Sequence, residues 1–151
     1  MAKPNWLVIR AELVSGAGDE FEPPPGRDFL TPSAFSLLEL AVAIDTAFAR
    51  WDRGHLHLFR FPDGAEYVLG GAEEGDEATD SQLRSIGELG LKPGAMFEYV
   101  FDLGDEWVHR CQILAVNVDP EVEFGDVPLA PVPLFGWGTI PDQYRRTAPD
   151  G

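Results

Sequence analysis

The chain has 151 residues, 44% of them apolar, which is enough for one domain with a real core. Its 26 acidic side chains outnumber 11 basic ones, and the resulting net charge of −15 repels phosphate backbones and argues against direct nucleic-acid binding. No apolar run approaches the ~20 residues that span a bilayer, and a lone cysteine, Cys111, excludes an internal disulfide.

The stretch Trp6 to Val14, WLVIRAELV, alternates. Leu7, Ile9, Ala11 and Leu13 point one way and Val8, Arg10 and Glu12 the other, as in a half-buried strand. An opening of this kind is not the apolar core of a secretory signal, so the expected compartment is the cytoplasm. Ser15 to Pro32 is dense in Gly, Pro and acidic residues and is expected to be a long loop. Ser36 to Trp51 is expected to be a helix. Leu37, Leu40, Ala41, Ile44, Phe48 and Trp51 form one apolar face, and Ser36 with Glu39 makes a capping box. Phe35 and Leu40 are placed for a hydrophobic staple, and Gly54 ends the element.

His55 to Phe61 and Ala65 to Gly70 flank Pro-Asp-Gly and read as a hairpin. Gly71 to Asp80 reads as an acidic loop, and Asp80 to Gly90 as a short helix stopped by Gly90. Pro93 and Gly94 suit the middle of a type II turn. A second hairpin follows, Ala95 to Asp102 and Trp107 to Val118. The order β-α-β-β-α-β-β predicts an α+β domain: a mostly antiparallel sheet of about five strands with two helices on one face. That domain is expected to span 1–118. Residues 119–151 are too rich in Pro for helix or strand interiors but keep Phe124, Phe135, Trp137 and Tyr144. They read as an extended Pro/aromatic arm packed on the same domain.

Three histidines carry the most chemistry. His55 and His57 share a strand face, and His109 lies on the other hairpin. A two-residue turn at Gly104-Asp105 would pair Asp102 with Trp107 and Val100 with His109, placing Asp102, Trp107 and His109 on one face. One reading is a single zinc or other transition metal held by His55, His57 and His109, with Asp102 as ligand or support. The other is that these histidines are satisfied packing residues beside Phe59, Phe61 and Trp107, with no cofactor. Asp102 and Asp105 also suit a tight turn. No serine sits in a nucleophile context, and Cys111 reads as a core residue. Trp137, between two glycines, and Tyr144 are candidate partner contacts.

The stretches from Ala43 to Phe59 and from Glu98 to Cys111 resemble the plasmid pRiA4b ORF-3-like family, some members of which are labelled insertion-element passenger proteins. The family shows a helix ending in Trp, then H-L-H-x-F, and later Y-x-Y-D-F-G-D-x-W-x-H. Trp51, His55, His57, Phe59, Tyr99, Asp102, Gly104, Asp105, Trp107 and His109 fit, while Phe101 and Leu103 replace a Tyr and a Phe. The resemblance implies a compact bacterial α+β domain without an established activity. The function expected is a non-enzymatic binding or protein-interaction module for a protein or small-molecule partner. The alternative is a metal-dependent, hydrolase-like enzyme using His55, His57, His109 and Asp102. A third reading, from the insertion-element label, is a mobile-element accessory protein.

Overall fold

The computed structural model describes residues 6–48, 57–69, 85–102, 104–125, 132–138 and 140. Eight strands form one antiparallel sheet. In chain order they are β1 (Trp6–Gly16), β2 (Asp19–Glu20), β3 (Gly26–Pro32), β4 (His57–Arg60), β5 (Glu66–Leu69), β6 (Met96–Phe101), β7 (Trp107–Val118) and β8 (Val132–Trp137). Across the sheet they run β5-β4-β6-β7-β1-β3-β8, with the short β2 also paired to β1.

One helix covers one face. Helix α1 (Leu37–Ala47) opens at Ser36, whose hydroxyl accepts from the Glu39 amide at 3.1 Å while the Glu39 carboxylate accepts from the Ser36 amide at 3.0 Å. The capping box read from the sequence is therefore built. Leu37, Leu40, Ala41, Ile44 and Phe48 are buried against Leu7, Ile9, Ala11 and Leu13 of β1, Phe29 of β3, Phe59 of β4, Phe97, Tyr99 and Phe101 of β6, and Trp107, Cys111 and Ile113 of β7. The alternation of β1 is the one its sequence predicts: the even-numbered Val8, Arg10 and Glu12 face away from this core.

The sheet is larger than the five strands expected. The stretch from Ser15 to Pro32 is not a long loop. β1 runs on to Gly16, Ala17 and Gly18 take positive φ in a two-residue turn to β2, and β3 follows the prolines. β3 carries no strand signal in its sequence because it is short, follows three prolines, and buries Asp28 to Thr31 without alternation. The expectation that Pro bars helix and strand in the C-terminal segment does not hold. That segment forms α2 (Pro120–Phe124), a single short turn of helix capped by Asp119, and then β8 on the edge beside β3. Pro133 is tolerated there because an edge strand can spare an N–H. The expected second helix over 80–90 is described only from Ser85 onward, where a single 3-10 turn, Gly87–Leu89, stops at Gly90 in the left-handed conformation. The type II turn stands as read, with Gly94 at φ 90° and the Ala95 amide bonded to the Lys92 carbonyl at 2.9 Å. The acidic loop over 71–80 lies outside the described residues.

Candidate functional site

The two hairpins meet. β4 pairs with β5 on one side and β6 on the other, and β6 pairs with β7. His57 on β4 and His109 on β7 therefore stand on either side of Tyr99 on β6, on the face that α1 covers. His55 and Trp51 lie outside the described residues.

A buried polar chain runs through this cluster. The Tyr99 hydroxyl donates to Asp45 Oδ1 on α1 at 2.8 Å, and His57 Nδ1 lies 2.5 Å from the same hydroxyl. A hydroxyl has one proton, and it is committed to Asp45, so Nδ1 of His57 must be the donor. Asp45 Oδ2 is 4.0 Å from that nitrogen. Burial holds the His57 imidazole well down, to about 4, so it is neutral near pH 7 with its lone pair on Nε2. His109 is likewise fixed. Its Nδ1 sits 3.0 Å from the Tyr99 carbonyl oxygen, which can only accept, and its ring meets Phe48 edge-on at 4.8 Å. Phe59 packs on the Tyr99 ring at 4.8 Å.

The hairpin register differs by one residue from the one expected. Tyr99 pairs with His109, and Phe101 with Trp107. Asp102 leaves the ladder with φ 66°, and the connection runs to Glu106, at φ 51°. Asp102 Oδ1 accepts from the Gly104 amide at 2.9 Å and the Asp105 amide at 3.3 Å. A carboxylate that caps its own turn favours this early exit. Trp107 and His109 thus share their face with Phe101 and Tyr99, and Asp102 belongs to the turn. Trp107 is enclosed, stacked on Phe21 at 6.2 Å. Cys111 is fully buried, and burial pushes its thiol up, so it is no thiolate. Among the described residues, no group of three His, Cys, Asp or Glu side chains is arranged to hold a metal ion.

Asp45 was missed in the sequence, yet a signal existed. It sits at i+4 from Ala41 and i−3 from Phe48, on the apolar side of an otherwise hydrophobic helical face. An acid in that position needs a buried partner.

The opposite face is built differently. Direct cross-strand partners form a row: Arg60 on β4, Glu98 on β6, Arg110 on β7, Glu12 on β1, Gly26 on β3 and Trp137 on β8. Arg60 Nε reaches Glu98 at 3.0 Å and Arg110 reaches Glu12 at 3.1 Å. A second row holds Met96, Gln112, Arg10, Asp28 and Phe135, with Arg10 gripping Asp28 through two bonds of 2.8 and 3.0 Å. The rows end in two aromatics. The Trp137 indole lies over Gly26, where an added Cβ would stand 2.6 Å from its Cε2. Its Nε1 donates to the Pro24 carbonyl at 3.1 Å, and the Arg10 guanidinium sits 4.8 Å from its ring centre. Phe135 lies beside it, ring centres 5.8 Å apart, and is 63% exposed. A cavity of about 540 Å³ follows β8 past Arg27, Phe135 and Trp137. Tyr144 lies outside the described residues.

Residues 19–131, most of the sheet and the whole of the His57–Tyr99–His109 cluster, match the family described as plasmid pRiA4b ORF-3-like protein. The chain belongs to the plasmid pRiA4b ORF-3-like family. The match takes in both motifs and leaves β1 and β8 outside it. No curated protein sequence matches the chain. Among solved structures it is similar to the crystal structure of a protein of unknown function, MM3350 from Methanosarcina mazei Go1. The two are 21% identical with a TM-score of 0.61, over 89% of this chain and 70% of that one. At that identity the likeness speaks for a shared fold only. Among the described residues, no helix of this pRiA4b ORF-3-like protein is long and apolar enough to cross a membrane.

Proposed function

We propose that this protein is a non-enzymatic binding module that takes a protein segment at the aromatic end of the face opposite α1. The observation that carries this reading is Phe135, largely exposed beside a Trp137 already held in place by Pro24, Arg10 and Gly26. A fixed indole loses little freedom on binding, and Trp with Arg is the composition of energetic centres in protein interfaces. The titratable groups under α1 support the same reading. They are enclosed and committed to one another rather than turned toward a substrate. Addition of a partner strand along the outer edge of β8 is disfavoured, because Pro133 and a register shift opposite Asp28 and Phe29 interrupt that edge. Recognition is therefore by side chains.

The test is quantitative capture from native lysate on immobilised protein, comparing the parent chain with Phe135→Ser, Trp137→Ala and Gly26→Ala. The last keeps the indole but displaces it. Loss of the same polypeptides with all three variants supports the reading, and an unchanged set removes β8 from it.

The alternative, a metal-dependent hydrolase at His55, His57, His109 and Asp102, has one observation in its favour: β4 and β7 bring His57 and His109 to either side of Tyr99. Both Nδ1 atoms are engaged, so a metal would take Nε2. Metal analysis after mild dialysis should then find about one transition metal per chain, lost in His57→Ala. A His57→Ala protein that keeps its full metal content would sink this assignment.

A further inference from the structure

We propose that the charged rows of the face opposite α1 close on the same rows of a second copy of the chain, about a two-fold axis running along the strands between β6 and β7. The register carries this. The four charges Arg60, Glu98, Arg110 and Glu12 stand directly opposite one another on β4, β6, β7 and β1 and alternate plus, minus, plus, minus. Neighbouring strands are about 4.8 Å apart, so the charges are evenly spaced. A two-fold axis through the middle of such a row reverses it, and an alternating row of four is its own complement when reversed. Arg60 then faces the second copy's Glu12, and Glu98 faces its Arg110, each pair occurring twice. A closed dimer of this kind needs one surface patch that is complementary to itself. Two sheets packing face to face are rotated by about 30°, which moves the outer pairs by roughly 4 Å, within reach of an arginine side chain.

Two further observations fit. Each guanidinium of the row has five N–H donors, yet Arg60 reaches Glu98 through Nε alone and Arg110 reaches Glu12 through one terminal nitrogen alone. Donors remain for a second partner. Of the four large apolar side chains that are exposed among the described residues, two, Met96 and Phe135, lie on this face, in the adjacent row. With the axis between β6 and β7, Met96 comes to the centre of the contact. β8 lies farther from the axis than β5, so Phe135 of each copy extends past the other's edge and stays open, while the Trp137 indole, drawn in over Gly26 on β3, faces the second copy's β5. The dimer would leave one Phe135 site open at each end. The inference does not rest on what those sites bind. It is read from mass, not from capture, so the two can fail separately.

The net charge of −15 per chain opposes association at low salt. Sedimentation velocity is therefore run at roughly 150 mM salt, where the Debye length is about 8 Å. The expected result is the mass of two chains at the upper end of a concentration series. Arg60→Glu and Glu12→Arg should each weaken the dimer at least about tenfold, as loss of close charge pairs across interfaces does. The double variant restores the intermolecular pair and should return to within about threefold of the parent. Within one chain the same double change spoils both the Arg60–Glu98 and the Glu12–Arg110 pairs. A double variant weaker than either single change would therefore overturn the proposal, as would a single-chain mass at every concentration. Thermal melting identifies any variant that fails to fold, and Arg60→Gln then takes its place.

Discussion

The two faces of the sheet carry polar networks of nearly equal geometry and unequal consequence. Under α1, Asp45, Tyr99 and His57 are joined by contacts of 2.5 and 2.8 Å. On the other face, Arg60–Glu98 and Arg110–Glu12 are joined at 3.0 and 3.1 Å. In the first set the His57 and Asp45 side chains are 11% and 3% exposed, and in the second the side chains are 24–45% exposed. Water competes for every group in the second set and for almost none in the first. Distance alone would rank the networks as equals. Burial predicts that disturbing the covered one costs several times more.

The largest expected effect is on acid stability. His57 is held neutral in the folded chain, at about 4 against an ordinary value of 6.5, because burial disfavours the cation. The unfolded chain therefore binds this proton first. The contribution is complete above pH 6.5 and is lost as pH falls from 6.5 toward 4, to about 3 kcal/mol. Urea titrations of the parent and His57→Gln over this range should converge or cross by that amount, which isolates His57 from the many carboxylates. Asp45 Oδ2, 4.0 Å away, pulls in the opposite sense. Were Asp45 the stronger influence, the parent would instead gain on the variant as pH falls.

Next in size is Tyr99→Phe. It removes only an oxygen, but it takes the hydroxyl away from His57 Nδ1 and one bond away from Asp45 Oδ1. A buried donor that loses its acceptor costs about 1–3 kcal/mol, so a loss of roughly 2 kcal/mol is expected in chemical denaturation. A loss under about 0.5 kcal/mol would mean that water reaches the site and would erase the contrast between the faces.

What was legible in the sequence follows the same division. Helix α1 could be read because its cap, apolar stripe and length agree. The hairpins β4–β5 and β6–β7 could be read from turn residues and strand-forming runs. β3 and β8 could not, because their strand character comes from pairing with each other and with β1, while their own residues include Pro32, Pro133, Gly26 and Gly136. The one-residue difference at Asp102 has a local cause. A carboxylate accepting two turn amides replaced a two-residue turn with a longer connection. The cluster's two histidines were visible as motif residues. Asp45 was hidden inside a helix that reads as apolar, and its role depends on Tyr99 arriving from 54 residues away. The charge ladder was invisible for the same reason, since only register brings β4, β6, β7 and β1 into line.

The smallest expected effect is the most informative about the face opposite α1. Glu12→Gln removes one end of the ladder, whose partner Arg110 is nearly half exposed. Exposed pairs of this kind contribute about 0.2–1 kcal/mol and are weakened by salt. Measured on dilute protein, where any dimer has dissociated, the loss should stay near 0.5 kcal/mol and shrink as salt is added. A loss above about 1.5 kcal/mol that salt does not relieve would mean that the row is desolvated within a single chain. In that event the two faces would be alike in kind, and the row would no longer be available to a second copy.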